Sequence, residues 1–76
     1  MPWSREFSSP IALKDGRSIT TLGQGHALIL NLPVRHRVRL YWQHAAELLL
    51  IASESEGALE MAREQLSRAL MIEGLL

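Results

Sequence analysis

The stretch that decides the fold is residues 37–52, RVRLYWQHAAELLLIA, which neither proline nor glycine interrupts. At helical spacing its apolar and polar residues fall on opposite faces over the first half of the stretch. The core face takes Val38, Tyr41, Ala45, Leu48 and Ala52, with Trp42 and Leu49 at its edge. From residue 48 onward the stretch is apolar all round, and a helix of that kind needs cover on every side.

The chain is short, and its length limits the core it can build. It has 76 residues and no cysteine, which indicates one domain without disulfides or thiolate metal sites. A domain this small buries only about 60% of its unfolded surface, so oligomerisation is the remaining common means of stabilising it. We expect a flexible segment over residues 1–9 and a single domain over residues 10–76, which we predict to be dimeric.

Residues 10–20, PIALKDGRSIT, are typical of a β-hairpin because Asp-Gly is the strongest short hairpin signal. Two registers are compatible with the sequence. A two-residue turn would pair Ala12 with Ile19. A three-residue loop with Gly16 left-handed would instead pair Ile11 with Ile19 and place Leu13 on the same face. We favour the second register, with a glycine bulge, because it keeps the apolar side chains together.

Three helices are predicted to follow the hairpin, over residues 22–31, 36–52 and 55–72. The first begins at a capping box, Thr21 with Gln24. The third begins near Ser53 or Ser55, each of which could cap it. It ends near Ile72, and Gly74 is placed for a left-handed cap. The predicted fold class is therefore α+β, with an N-terminal β-hairpin followed by three α-helices (ββααα).

Several large apolar residues lie off the core stripes of the second and third helices. They are Leu50, Ile51, Met61, Met71 and Ile72. Together they make more apolar surface than a lone three-helix domain should expose. We therefore expect a homodimer that uses them as its interface, in a small non-enzymatic binding or regulatory module. An unidentified protein partner is the alternative occupant of this surface.

One dense basic cluster, Arg35, Arg37 and Arg39, precedes and begins the central helix. It is a candidate contact for an anion or a nucleic acid. The net charge of zero and the lack of a recognition motif argue against nucleic-acid binding. Cations at a helix N-terminus oppose its dipole, so we expect a glutamate of the third helix or of a second chain to hold them.

The charges divide along the chain. Residues 1–44 carry six Lys or Arg against two acidic residues, and residues 45–76 carry two Arg against six Glu. This gives +4 in the first part and −4 in the second. Such a division can steer an anionic partner, or it can let two copies meet head to tail.

Catalytic and metal chemistry find little support in the sequence. His44 and Glu47 could share a metal ion, but no third ligand is assignable. Gly23 and Gly25 form a bare G-x-G that lacks the remaining phosphate-loop pattern. Adjacent Tyr41 and Trp42 could stack on bases, although aromatic residues at the start of a core helix more often pack on the core or anchor an edge. We expect no enzyme activity, no cofactor and no metal.

No apolar segment has the length of a signal core or a membrane span, so we expect a cytoplasmic protein with no membrane contact. Several short motifs of this sequence occur together in one family of small proteins. They are Pro10-Ile11-x-Leu13, Asp15-Gly16-Arg17, Thr20-Thr21, Leu32-Pro33, the part from Arg35 through Ala45-Ala46, Ala62-Arg63, and Ala69 with Glu73-Gly74-Leu75. The sequence thereby resembles a family of small uncharacterised bacterial proteins of unknown function. That resemblance implies a hairpin with three helices, and it implies no site residues.

Overall fold

The computed structural model describes residues 2–76 and confirms the α+β class, with an antiparallel two-stranded hairpin followed by helices. Met1, where the predicted flexible segment begins, lies outside the described residues. The elements are β1 (Glu6–Ala12), β2 (Ser18–Thr21), α1 (Leu22–Leu30), α2 (Val34–Arg37), α3 (Leu40–Glu54) and α4 (Leu59–Ile72), with 3-10 turns at Pro2–Ser4 and Glu56–Ala58. The three predicted helices correspond to α1, α3 and α4, and the single turn α2 is additional.

The hairpin adopts the predicted bulged register. Ile11 pairs with Ile19, and Gly16 is left-handed with a φ of 93°. The Leu13 N–H donates to the Arg17 carbonyl at 2.8 Å, and the Gly16 N–H donates to the Leu13 carbonyl at 3.1 Å. This is a type I turn closed by a glycine bulge, and it places Ile11, Leu13 and Ile19 together in the core.

The first strand begins earlier than predicted, at Glu6 rather than Pro10. Between the Glu6 and Ile11 pairs the strand is irregular, which separates two differently registered parts of the ladder. Phe7, near the start of this strand, is buried. The outer edge of β1 is covered by α4, because Arg63 donates to the carbonyls of Ser9 at 2.9 Å and Pro10 at 3.4 Å. The mobility of residues 1–9 stays a prediction.

Helix α1 starts directly after β2 through the predicted cap. The Thr21 hydroxyl accepts the Gln24 N–H at 3.2 Å. The Gln24 side chain reaches back one residue further than a standard capping box, and its Oε1 accepts from the N–H of Thr20 at 2.6 Å. Gly25 is buried in this helix, where an added Cβ would lie 3.0 Å from Leu66 Cδ2. A glycine at that position lets α1 approach the core closely, at some cost in helix propensity.

The central helix is shorter than the predicted 36–52. The turn α2 ends at Arg37, and α3 begins only at Leu40, because Arg39 is extended with φ −68° and ψ 142°. The Arg39 carbonyl accepts the N–H groups of Trp42 and Gln43, which starts the new helix. Val38 is consequently exposed and not part of the core face. No proline or glycine marks this break, so local sequence gave no signal of it.

Helix α4 begins at Leu59 rather than at residue 55, after a 3-10 turn. Neither predicted serine caps it: the Ser53 hydroxyl donates to the Leu50 carbonyl at 2.6 Å, and Ser55 makes no side-chain capping bond. The C-terminal cap forms as predicted. Gly74 is left-handed with a φ of 77°, and the Leu75 N–H donates to the Leu70 carbonyl at 2.8 Å. This is a Schellman cap.

The core lies between the hairpin and the helices. Its largest fully buried side chains are Trp42, Leu22, Leu49, Leu66 and Leu70. Trp42 therefore belongs to the centre of the core, not to an edge as the sequence suggested. The accessible surface of 4786 Å² is close to the roughly 4,700 Å² that monomers of this mass expose. Across residues 2–76, no helix is long and apolar enough to cross a membrane.

Candidate functional site

The C-cap of α4 carries a carboxylate that three side chains share. We call this group the Glu73 cluster: Glu73, His36, Tyr41 and Trp42. Glu73 Oε1 accepts from the Tyr41 hydroxyl at 2.8 Å and from Trp42 Nε1 at 3.0 Å, and it lies 3.0 Å from His36 Nδ1. The donors come from α2 and the start of α3, and the acceptor is the C-cap of α4. One oxygen thus joins three elements.

The cluster holds Glu73 as an anion. Hydrogen bonds from His36, Trp42 and Tyr41, in that order of size, lower the pKa of Glu73 from 4.5 to about 2. A carboxylate at a helix C-terminus faces the negative end of the dipole, so the three donors offset an unfavourable position. The same hydrogen bond stabilises the protonated phenol, so it raises the pKa of Tyr41 above its ordinary value of 10.0.

This arrangement suits structure better than proton transfer. A carboxyl group whose pKa is near 2 has little affinity for a proton at neutral pH, so it is a poor general base. Its side chain is only 15% exposed, and His36 is 30% exposed. Glu73 was not among the residues predicted from the sequence to form a site. The available signal was an acidic residue directly before the Gly74 cap, where the helix dipole disfavours it.

The predicted basic cluster is spread over a turn. Arg35 and Arg39 are exposed, whereas Arg37 is half-buried and its Nε is buried without a hydrogen-bond partner in residues 2–76. The expected glutamate of the last helix is Glu73, but it pairs with His36 and not with an arginine. In the described part of the chain, the other ion pair joins Arg17 to Asp15. None of the three arginines is therefore held by a carboxylate of residues 2–76.

His44 and Glu47 both lie exposed on α3. Together with Leu40, Tyr41 and Gln43 they line a shallow hollow of about 430 Å³. No group of three metal-binding side chains is present among the residues that the structure describes. The pair alone supplies two ligands, which is fewer than a zinc site uses.

The hollow belongs to a longer surface, the outer face of α3. At the spacing of one helical stripe this face comprises Leu40, Gln43, His44, Glu47, Leu50, Ile51 and Glu54, all of which are exposed. Leu40 is 81% exposed, Leu50 54% and Ile51 50%. Leu40 was not predicted from the sequence to be part of this surface, although it lies in the same helical stripe as Gln43 and Glu47.

The remaining predicted interface residues lie on α4, and each is also exposed: Met61, Met71 and Ile72. Helices α3 and α4 run antiparallel, because a short turn joins the end of one to the start of the other and the Glu73 cluster joins their opposite ends. Met61 is therefore near the end of α3 that carries Leu50 and Ile51. Ile72 is near the end that carries Leu40.

No family model, curated protein or solved structure matches this chain, so the comparisons assign it to no family of known function. This is consistent with the resemblance to uncharacterised proteins that the motifs indicated. A bacterial origin stays a prediction.

We expect Glu73→Gln to destabilise the fold by about 1–3 kcal/mol at neutral pH, because three donors then meet a neutral amide. For a domain of this size that lowers Tm by roughly 4–8 °C for each kcal/mol, measurable by circular dichroism. Since the pKa of Glu73 is lower in the folded state, its stabilisation is complete above about pH 4.5 and is lost as the pH falls toward about 2.

The stabilities of the wild type and Glu73→Gln should therefore converge in acid. Tyr41 offers a second readout, because it is the single tyrosine of the chain. Its phenol should ionise at lower pH in the variant, as followed by ultraviolet absorbance. A constant stability difference down to pH 2, with no change in the Tyr41 titration, would contradict this account of the Glu73 cluster.

Proposed function

We propose that the protein is a non-enzymatic, homodimeric binding or regulatory module. The proposed interface is the outer face of α3 with Met61, Met71 and Ile72 of α4. The observation that carries the proposal is that Leu40, Leu50 and Ile51 stand at least half exposed on one helix face of a 76-residue chain. Exposed apolar patches on small soluble domains commonly mark protein–protein interaction sites.

A second copy fits this face when the two α3 helices run antiparallel about a two-fold axis. With the axis between residues 45 and 46, Leu40 of one copy lies opposite Ile51 of the other. In the same register His44 lies opposite Glu47. The hollow at Leu40, Gln43 and His44 can then receive the side chain of Ile51 from the other copy. Each contact occurs twice, as an isologous dimer requires.

The charges support this orientation. The first part of the chain is net positive and the second part is net negative. An antiparallel arrangement sets the basic segment before α3 near the acidic end of α3 in the other copy. Exposed ion pairs of this kind contribute about 0–1 kcal/mol each. They contribute more to orientation and register than to affinity.

The area that a stable dimer must bury is the reason for including residues of α4 in the proposed interface. A standard interface buries about 800 Å² on each partner. That is roughly one-sixth of the 4786 Å² surface of this chain. One helix face is narrow for such an area, and Met61 and Ile72, exposed near the two ends of α3, extend it.

A specific observation favours a second candidate, an anion-binding surface at Arg35, Arg37 and Arg39. The buried Nε of Arg37 has no partner in residues 2–76, and a bound anion would supply one. We expect binding to single-stranded or duplex DNA that weakens steeply with salt, measured by fluorescence anisotropy. Arg37→Gln should abolish it, with the exposed Arg68→Gln as a control of equal charge. No anisotropy change at low salt would remove this candidate.

We expect Leu50→Glu to give a folded monomer, because it places a charge within the proposed apolar interface. The matched control is Leu30→Glu, whose position on α1 is 55% exposed against 54% for Leu50. Sedimentation equilibrium gives the mass, and circular dichroism confirms the fold. A wild type that stays monomeric at high concentration, or an equal effect of both variants, would overturn the homodimer.

The register has its own test by charge reversal. His44→Glu should weaken the dimer about three- to tenfold, because it opposes Glu47 of the second copy. Adding Glu47→Lys should restore the affinity, since the pair is then reversed. Dissociation constants from dilution experiments measure both steps. Failure of the double variant to recover would exclude this antiparallel register while leaving the Leu50 result intact.

A further inference from the structure

A groove that plays no part in the proposed dimer lies between β2 and α1. Its volume is about 610 Å³, within the range of roughly 300–1,000 Å³ typical of ligand clefts. The apolar lining residues are Leu13, Ile19, Ala27, Leu28, Leu32 and Leu75. The polar lining residues are Arg17, Ser18, Gln24 and Asn31. The groove therefore combines a continuous apolar lining with a few polar groups.

One wall is the open edge of a strand. Because the bulge pairs Leu13 with Arg17 and Ile11 pairs with Ile19, the residue between them, Ser18, directs its N–H and C=O away from β1. The next outward N–H, that of Thr20, is already bound by Gln24 Oε1 at 2.6 Å. Strand β2 thus offers a short, defined set of main-chain groups and not a long open edge.

The other wall is a stripe of α1. Gln24, Ala27, Leu28 and Asn31 stand three or four residues apart and line the groove together. The side-chain oxygen of Gln24, Oε1, accepts from the N–H and the hydroxyl of Thr20. The side-chain NH₂ of Gln24 remains as a donor. The Asn31 amide NH₂ donates to the Ala27 carbonyl at 2.9 Å, which leaves its oxygen as an acceptor. Both walls therefore present amide-type donors and acceptors.

A cation stands at one end of the groove. Arg17 Nε donates to Asp15 Oδ2 at 2.7 Å, which orients the guanidinium group. A guanidinium group has five N–H donors, so its two terminal nitrogens remain for another carboxylate. Lys14 lines an adjoining hollow of about 160 Å³ that also contains Arg17. Two cations against one aspartate make this end of the groove favourable for an anion.

We propose that this groove binds an extended peptide segment that carries an acidic side chain, by strand addition to β2. The peptide pairs its main chain with Ser18, places apolar side chains against Leu28 and Ile19, and directs its carboxylate to Arg17. An extended peptide matches the amide groups of both walls, which an aliphatic ligand would leave without partners. Because the strand edge is short, side-chain pockets and the charge contribute much of the affinity.

The test uses short capped peptides in which valine alternates with serine and glutamate, and a twin series with lysine in place of glutamate. We expect the glutamate peptide to shift the amide NMR signals of Ser18, Gln24 and Asn31, with a dissociation constant of about 1 mM or tighter. The lysine twin should bind at least about tenfold more weakly. Equal binding of both peptides, or no shift at millimolar peptide, overturns the proposal.

Two variants locate the contacts. Ser18→Pro removes the outward N–H without touching the ladder, and Ser18→Ala retains it. We expect binding to be lost in the first variant and kept in the second, with circular dichroism confirming that both fold. Arg17→Gln should reduce affinity about tenfold and abolish the preference for glutamate over lysine. Equal binding by the two Ser18 variants overturns the strand-addition mode.

A second copy of the chain is the competing occupant of this edge. If two β2 strands pair, Ser18→Pro lowers the solution mass of the protein and the peptide fails to bind at high protein concentration. That result overturns the proposal. It is distinguishable from the helix-mediated dimer because Leu50→Glu would leave pairing through β2 unchanged.

Discussion

One carboxylate oxygen of Glu73 constrains how α2, α3 and α4 sit against one another. It accepts from Tyr41 and Trp42 and lies against His36, so the end of α4 is fastened to α2 and to the start of α3. The turn at residues 56–58 fastens the opposite ends of the same two helices. With both ends joined, the rotation of α3 is fixed. That rotation buries Trp42 completely and leaves Leu40, Leu50 and Ile51 toward solvent.

Sequence predicted the features that neighbouring residues determine. The hairpin register follows from Asp15-Gly16 and the spacing of Ile11 and Ile19, and the cap at Gly74 follows from a glycine after an amphipathic run. The five apolar residues predicted to lie off the core stripes are exposed, because helical periodicity places them there. These are short-range properties, and one sequence is sufficient to reveal them.

The Glu73 cluster could not be predicted in this way. It joins residues 31 to 37 positions apart, and nothing in a single sequence indicates which of six C-terminal glutamates meets which donor. The break before α3 could not be predicted either, because no proline or glycine marks it. The neighbouring turn α2 is held by the contact of His36 with Glu73, which is distant in sequence. Helical spacing placed Trp42 at the edge of the core face, whereas Glu73 accepts its indole N–H and Trp42 is fully buried.

The covering of β1 by α4 has a consequence for how this protein assembles. Arg63 binds two carbonyls of that strand, and Pro10 has no N–H to offer, so further strands cannot extend the sheet on that side. The hairpin is open on β2 alone. A sheet with one open edge ends after a single addition, since two such sheets can pair but cannot continue into a fibril. Polymerisation by edge-to-edge strand addition is thereby limited to a finite complex.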